Sequence, residues 1–197
     1  MEVMPVMQAL SPAAPRQLLH TRQVQCTGWE RDDGLWEIEG RLSDVRTHDL
    51  DDSRGNAPRK ACDPVHLMSL RITLDDSFTI VAAEAVSHQT PYEDCPRINE
   101  AYGALVGLRI EAGFNHAVKT RFRGVQGCTH LTELLGPMAT TAFQAINPAR
   151  ERRRVARGEP AFADGPKPAL LDTCHALRRG GAAAVVRWGR VGEKLPD

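Results

Sequence analysis

No stretch of about 18 or more apolar residues runs through this 197-residue chain, so a membrane-spanning helix is not expected. Neither sign of charge is in excess, because Lys plus Arg and Asp plus Glu both number 25. That balance excludes the basic footprint of a nucleic-acid binder. No C-x-x-C pair occurs among the five cysteines, Cys26, Cys62, Cys95, Cys128 and Cys174, which argues against zinc-ribbon and thioredoxin-like sites. Their odd number and the length of the chain argue against a secreted disulfide framework. The motifs G-x-x-x-x-G-K-[ST], G-x-G-x-x-G after a strand, H-E-x-x-H and G-x-S-x-G are missing. P-loop NTPases, dinucleotide-binding domains, zincin proteases and ordinary serine hydrolases are thereby set aside. The first residues lack the basic start of a signal peptide and are broken by prolines. Residues 1–18 are therefore expected to be a flexible arm and the protein cytoplasmic.

What is there reads as one α+β domain over residues 19–197. Residues 19–46 resemble a hairpin, with alternating arms around Arg31-Asp32-Asp33-Gly34. In its second arm Trp36, Ile38, Gly40 and Leu42 share a face, and Asp44 falls on that same face near the strand end. The polar segment 47–64 is a loop. Alternation over 66–74 puts His66, Met68, Leu70, Ile72 and Leu74 together. The next strand, 78–87, is apolar on both faces and is expected to be central. Tyr92 to Leu105 reads as a helix after Pro91. Residues 106–123 fit either a helix with a glycine break or two short strands. The 3–4 spacing of Cys128, Leu131, Leu135, Met138 and Ala142 predicts a helix over 129–146, stopped by Asn147-Pro148. A basic and Pro/Gly-rich linker over 149–168, a short helix over 169–177 and a strand over 183–189 complete the prediction. The fold expected is an antiparallel β-meander of four to five strands with helices packed on one face.

The chemistry concentrates in GCTHLTELL, residues 127–135. Cys128 falls at a helix N-terminus, where exposed N–H groups favour a thiolate. His130 and Glu133 are three apart and share a helical face. His66 is an imidazole on an otherwise apolar strand face, and Asp44 is a carboxylate on another. These five, His66, Cys128, His130, Asp44 and Glu133, are the candidate catalytic residues. Arg71, Tyr92, Trp36 and His175 are the candidate substrate contacts. A thiolate and imidazole metal site is the competing reading. It would use Cys95, Cys128, Cys174 and His175, with zinc or iron as the ion.

The segments HLMSLRITLDD, TPYEDC, GCTHLTELL and LLDTCHAL, with Trp36 to Asp44 upstream, resemble the DUF2889 family of uncharacterised bacterial proteins. The resemblance implies a setting in bacterial catabolism, including that of aromatic compounds. A fainter likeness, in the order Cys95, Gly127-Cys128 and Cys174-His175, is to iron–sulfur scaffold proteins of the IscU/NifU type. It implies cluster assembly on those residues. The leading expectation is a small enzyme without a cofactor, a lyase or hydrolase of a small organic or aromatic compound. The alternatives are the metal or cluster scaffold and a non-catalytic binding module. Neither nucleic acid nor membrane is an expected partner, whereas a small-molecule substrate and a second copy of the chain are.

Overall fold

The computed structural model describes residues 10–51, 58–159 and 170–189. They divide into two compact units, the first ending at Ile146 and the second beginning at Asn147. The expected single domain from residue 19 spans both.

The first unit is built on a four-stranded antiparallel sheet in the order β1-β2-β3-β4, with β1 His20–Glu30, β2 Trp36–Arg46, β3 Pro64–Leu74 and β4 Ile80–Gln89. Each strand follows its neighbour through a short turn or the loop after Arg46, which is the meander that the alternating pattern predicted. On β2 and β3 the inner face is apolar except for Asp44 and His66 near its end. Trp36, Ile38, Leu42, Met68, Leu70, Ile72 and Leu74 are all buried there. A 3₁₀ helix, Cys95–Leu105, follows β4, and α1, Phe114–Arg121, follows that. Then α2, Thr129–Ala156, follows, and its part up to Ile146 packs on the inner face of the sheet. Leu131, Leu134, Leu135, Met138, Ala142 and Ile146 are buried along it. Its approach to β2 is close: a Cβ at Gly40 would lie 2.7 Å from Met138 Sδ. No helix among the described residues is long and apolar enough to cross a membrane.

Several expectations are corrected. The apolar strand expected to be central is β4, which lies at the sheet edge, and Val81 and Val86 on it remain exposed. Ala83, Ala85 and Ser87 on it are half-buried, with Ser87 Oγ donating to Asn99 Oδ1 of the 3₁₀ helix at 2.8 Å. The ambiguous stretch 106–123 holds α1 after Gly113 and a single bridge, Thr79 to Arg109, in place of two strands. Pro148 does not stop α2. A proline forfeits one helical hydrogen bond, and burial of Ile146 and Ala149 on either side of it holds the turn.

In the second unit the expected strand is a helix, α3, Ala182–Trp188. Three consecutive alanines carry the helix preference there, and the single Val-Val pair is too short to override it. The expected helix over 169–177 is a run of turns from residue 170 onward. Asp172 has a positive φ of 65°, and Thr173 Oγ1 bonds back to the carbonyl of Leu170 at 2.7 Å. Local side-chain bonds of that kind compete with the helical ladder. The Pro/Gly stretch of the expected linker lies outside the described residues.

Candidate active site

Three strands and one helix meet around Asp44. Arg22 on β1 pairs directly with Asp44 on β2, which pairs with His66 on β3. Side chains directly opposite across antiparallel strands lie on the same face. The register therefore places guanidinium, carboxylate and imidazole in one row near the sheet end. The ladder shifts register immediately after this row, between Asp44 and Val45, where Pro64 has no N–H to offer. Such irregularities re-aim side chains and are common beside functional sites.

Asp44 is only 1% exposed. Burial opposes its charge, but Arg22 donates Nε to Oδ1 at 2.8 Å and Nη2 to Oδ2 at 2.9 Å. His20 Nε2 adds a contact to Oδ1 at 2.9 Å. These partners overcome the burial and hold the carboxyl at a pKa of about 2. From the second turn of α2, Glu133 accepts a bond from Arg22 Nη1. Arg22 is thereby fixed on both sides, and its pKa is raised chiefly by the bond to Asp44.

Two imidazoles close on the same oxygen. His66 Nδ1 lies 3.2 Å and His130 Nε2 3.4 Å from Asp44 Oδ2. The two rings stack with centroids 3.7 Å apart. Burial pushes His66 down to about 4, and the neighbouring His130 pushes it further the same way. Burial lowers His130 as well. On its other edge His130 Nδ1 stands 3.9 Å from Cys128 Sγ, which also touches Met68 Sδ at 3.9 Å.

The backbone of Cys128 is fixed by Tyr102, the buried aromatic of the 3₁₀ helix. The Tyr102 hydroxyl accepts from Cys128 N at 3.0 Å and lies 2.8 Å from its carbonyl and 2.7 Å from Thr132 Oγ1. The ring itself stacks on Phe122 at 4.5 Å. Gly127 completes the turn into α2, because a Cβ there would fall 2.5 Å from the carbonyl oxygen of Phe122. Backbone cannot yield as a flexible side chain can. Gly127→Ala is therefore expected to cost about 1–3 kcal/mol, as overpacking does, and to lower the thermal midpoint measured by circular dichroism.

Of the expected catalytic residues, Asp44, His66, His130 and Cys128 converge here, and Glu133 joins through Arg22. The expected substrate contacts do not. Trp36 is in the core at the far end of β2, about 26 Å along the strand from Asp44, with its indole N–H donating to Asp76 at 3.0 Å. Arg71 is on the opposite face of the sheet, paired with Glu39 at 2.8 Å. It lines a shallow depression there of about 590 Å³, with Trp29, Glu84 and His88. Tyr92 is half exposed on the turn before the 3₁₀ helix. His175 is exposed in the second unit, its ring 3.2 Å from Arg178. The expected metal set is divided: the first unit holds Cys95 and Cys128, the second Cys174 and His175. Among the described residues the group with metal-ligating geometry is a different one. Asp44, His66 and His130 each offer one ligand atom, and these atoms lie within 4.8 Å of one another.

Arg22 and His20 were not among the expected residues. The signal for them lies in the Asp-Gly turn. Counting outward from it in equal steps pairs Arg22 with Asp44, and His20 follows two residues away on the same face.

No curated protein and no solved structure matches the chain. A family model described as a protein of unknown function (DUF2889) matches residues 20–144. That stretch holds His20, Arg22, Asp44, His66, Cys128, His130 and Glu133 and ends before LLDTCHAL. Since the match covers more than half of the chain, the protein belongs to the DUF2889 family.

Proposed function

We propose that the protein is a cytoplasmic enzyme of small-molecule catabolism, a hydrolase or lyase that moves a proton at the Asp44 centre. The observation that supports this most is the convergence of a buried carboxylate with two stacked imidazoles drawn from different elements. A purely structural pair would need only Arg22 against Asp44. Here the carboxylate also orients both imidazoles, the arrangement that acid–base catalysis uses. Arg22 and His20 keep Asp44 charged and fixed, so they are positioning residues. A small organic or aromatic compound is the substrate class proposed, and an aromatic catabolic route is its setting.

A thiol nucleophile is the second reading. It is favoured by Cys128 Sγ standing 3.9 Å from the His130 ring, whose far nitrogen faces Asp44. A nucleophile, a base and an orienting carboxylate stand in that order in activated-thiol enzymes.

The test is turnover by the purified full chain on a panel of small aryl esters, lactones and aromatic hydroxy acids. Wild type is expected to convert at least one class. Loss of that turnover in His130→Ala, with Cys128→Ser still active, supports acid–base chemistry without a covalent step. Loss in Cys128→Ser as well, with a trapped thioester, supports the nucleophile. No conversion by wild type of any class in the panel counts against an enzyme of this kind.

A further inference from the structure

We infer that Asp44, His66 and His130 bind a single divalent transition-metal cation, zinc or ferrous iron, through Oδ2, Nδ1 and Nε2. The argument begins with distances. Four-coordinate zinc holds imidazole nitrogen and carboxylate oxygen at about 2.0–2.2 Å, so ligand atoms on a tetrahedral edge stand about 3.3–3.6 Å apart. The two edges that share Asp44 Oδ2 measure 3.2 and 3.4 Å, and the three atoms are mutually within 4.8 Å. Ordinary N–H···O bonds gather near 2.9–3.0 Å, shorter than either contact. Both contacts are long for such bonds, and the spacing leaves room for an ion between the three atoms.

The donor types agree. Two imidazoles and one carboxylate, with a position left for water or substrate, are the ligand sets of catalytic zinc and of non-haem ferrous sites. Each ligand comes from a different element, β2, β3 and α2, so the fold itself sets the gap between them. The carboxylate is oriented by outer partners, Arg22 and His20, as ligating carboxylates are. The charge also permits a dication. Arg22 opposes a cation, but Asp44 and Glu133 together outweigh its single positive charge. Both imidazoles retain some exposure, 17% and 21%, which leaves a route for an ion.

The inference deepens the proposed function, and its catalytic meaning rests on that reading. The same centre would move the proton, with a metal ion as the Lewis acid. It differs from the thiolate set expected from the sequence in every ligand.

The experiment uses the full chain, stripped with EDTA, dialysed, and titrated with zinc sulfate by calorimetry. Cobalt chloride is the second probe, followed by its visible absorption. Wild type is expected to take up about one equivalent of zinc and to give the intense bands of four-coordinate cobalt. His66→Ala and His130→Ala should each weaken zinc binding by about 100-fold or more, beyond the loss seen for outer partners. His66→Gln, closer in shape, guards against a simple folding defect, and circular dichroism checks each variant. Cys95→Ser and Cys174→Ser should keep the full equivalent. Absence of zinc uptake by folded wild type, or full uptake by the folded His66→Ala, His130→Ala double variant, overturns the inference. If wild type binds no zinc yet loses turnover on His130→Ala, the metal fails and the proton-transfer reading stands. If one equivalent binds and no substrate class is converted, the reverse holds.

Discussion

Replacing Asp44 with alanine is expected to cost about 2–3 kcal/mol of folding stability, under the 3–5 kcal/mol seen when a wholly buried ion pair loses one member. The discount follows from geometry. Asp44 is buried, but Arg22 and His20 are 37% and 42% exposed and can regain water. What remains is the loss of five polar contacts, three of them the anchor that holds β1 against β2 at this end. Urea unfolding of EDTA-treated protein reads the loss directly. Asp44→Asn should lose less, because the amide keeps the volume and one acceptor oxygen. An Asp44→Ala variant as stable as wild type would mean that the row across β1, β2 and β3 contributes nothing to the fold.

Turnover should fall by about 10²–10⁴-fold in His130→Ala and in His66→Ala, the range associated with a lost acid–base group. Stability should change far less than in Asp44→Ala. Each ring stacks mainly on the other at a partly open rim, so truncation admits water and leaves no sealed cavity. The pair should also be non-additive, since residues in one network couple. The double variant is expected to be scarcely slower than either single one. Steady-state rates on the converted substrate class measure this. Two independent losses that multiply would show that the imidazoles do not work as one unit.

Much of this centre was legible from residue spacing. Alternation on β2 and β3 put Asp44 and His66 on the buried faces, and the three-residue step from His130 to Glu133 put both on one side of α2. Alternation assigns faces but does not give the pairing of strands, and so the row through Asp44 emerged only with the register. Arg22 and His20 stayed hidden because β1 is largely exposed and has no apolar alternation to reveal its inner face. Trp36 and Arg71 misled for the opposite reason. An aromatic and a cation suggest a ligand by type, yet one fills the core and the other is matched by glutamates across the outer face. The end of the chain was misread where short segments had weak local preference. The turn around Asp172 and the alanine run at 182–184 decided structure against the broader pattern.

The close contact at Gly40 gives the Asp44 centre a remote point of adjustment. Met138 rests on that glycine eight residues beyond His130, about 12 Å along the helix. Asp44 lies four residues beyond Gly40 on the same strand. A larger side chain at position 40 would act as a wedge, tilting α2 about its packed middle and changing the gap between His130 and Asp44 by a fraction of an ångström. The zinc affinity and the turnover proposed for this centre would both depend on that gap. A library of variants at residues 40 and 138, positions outside the row of polar groups, would then move both together.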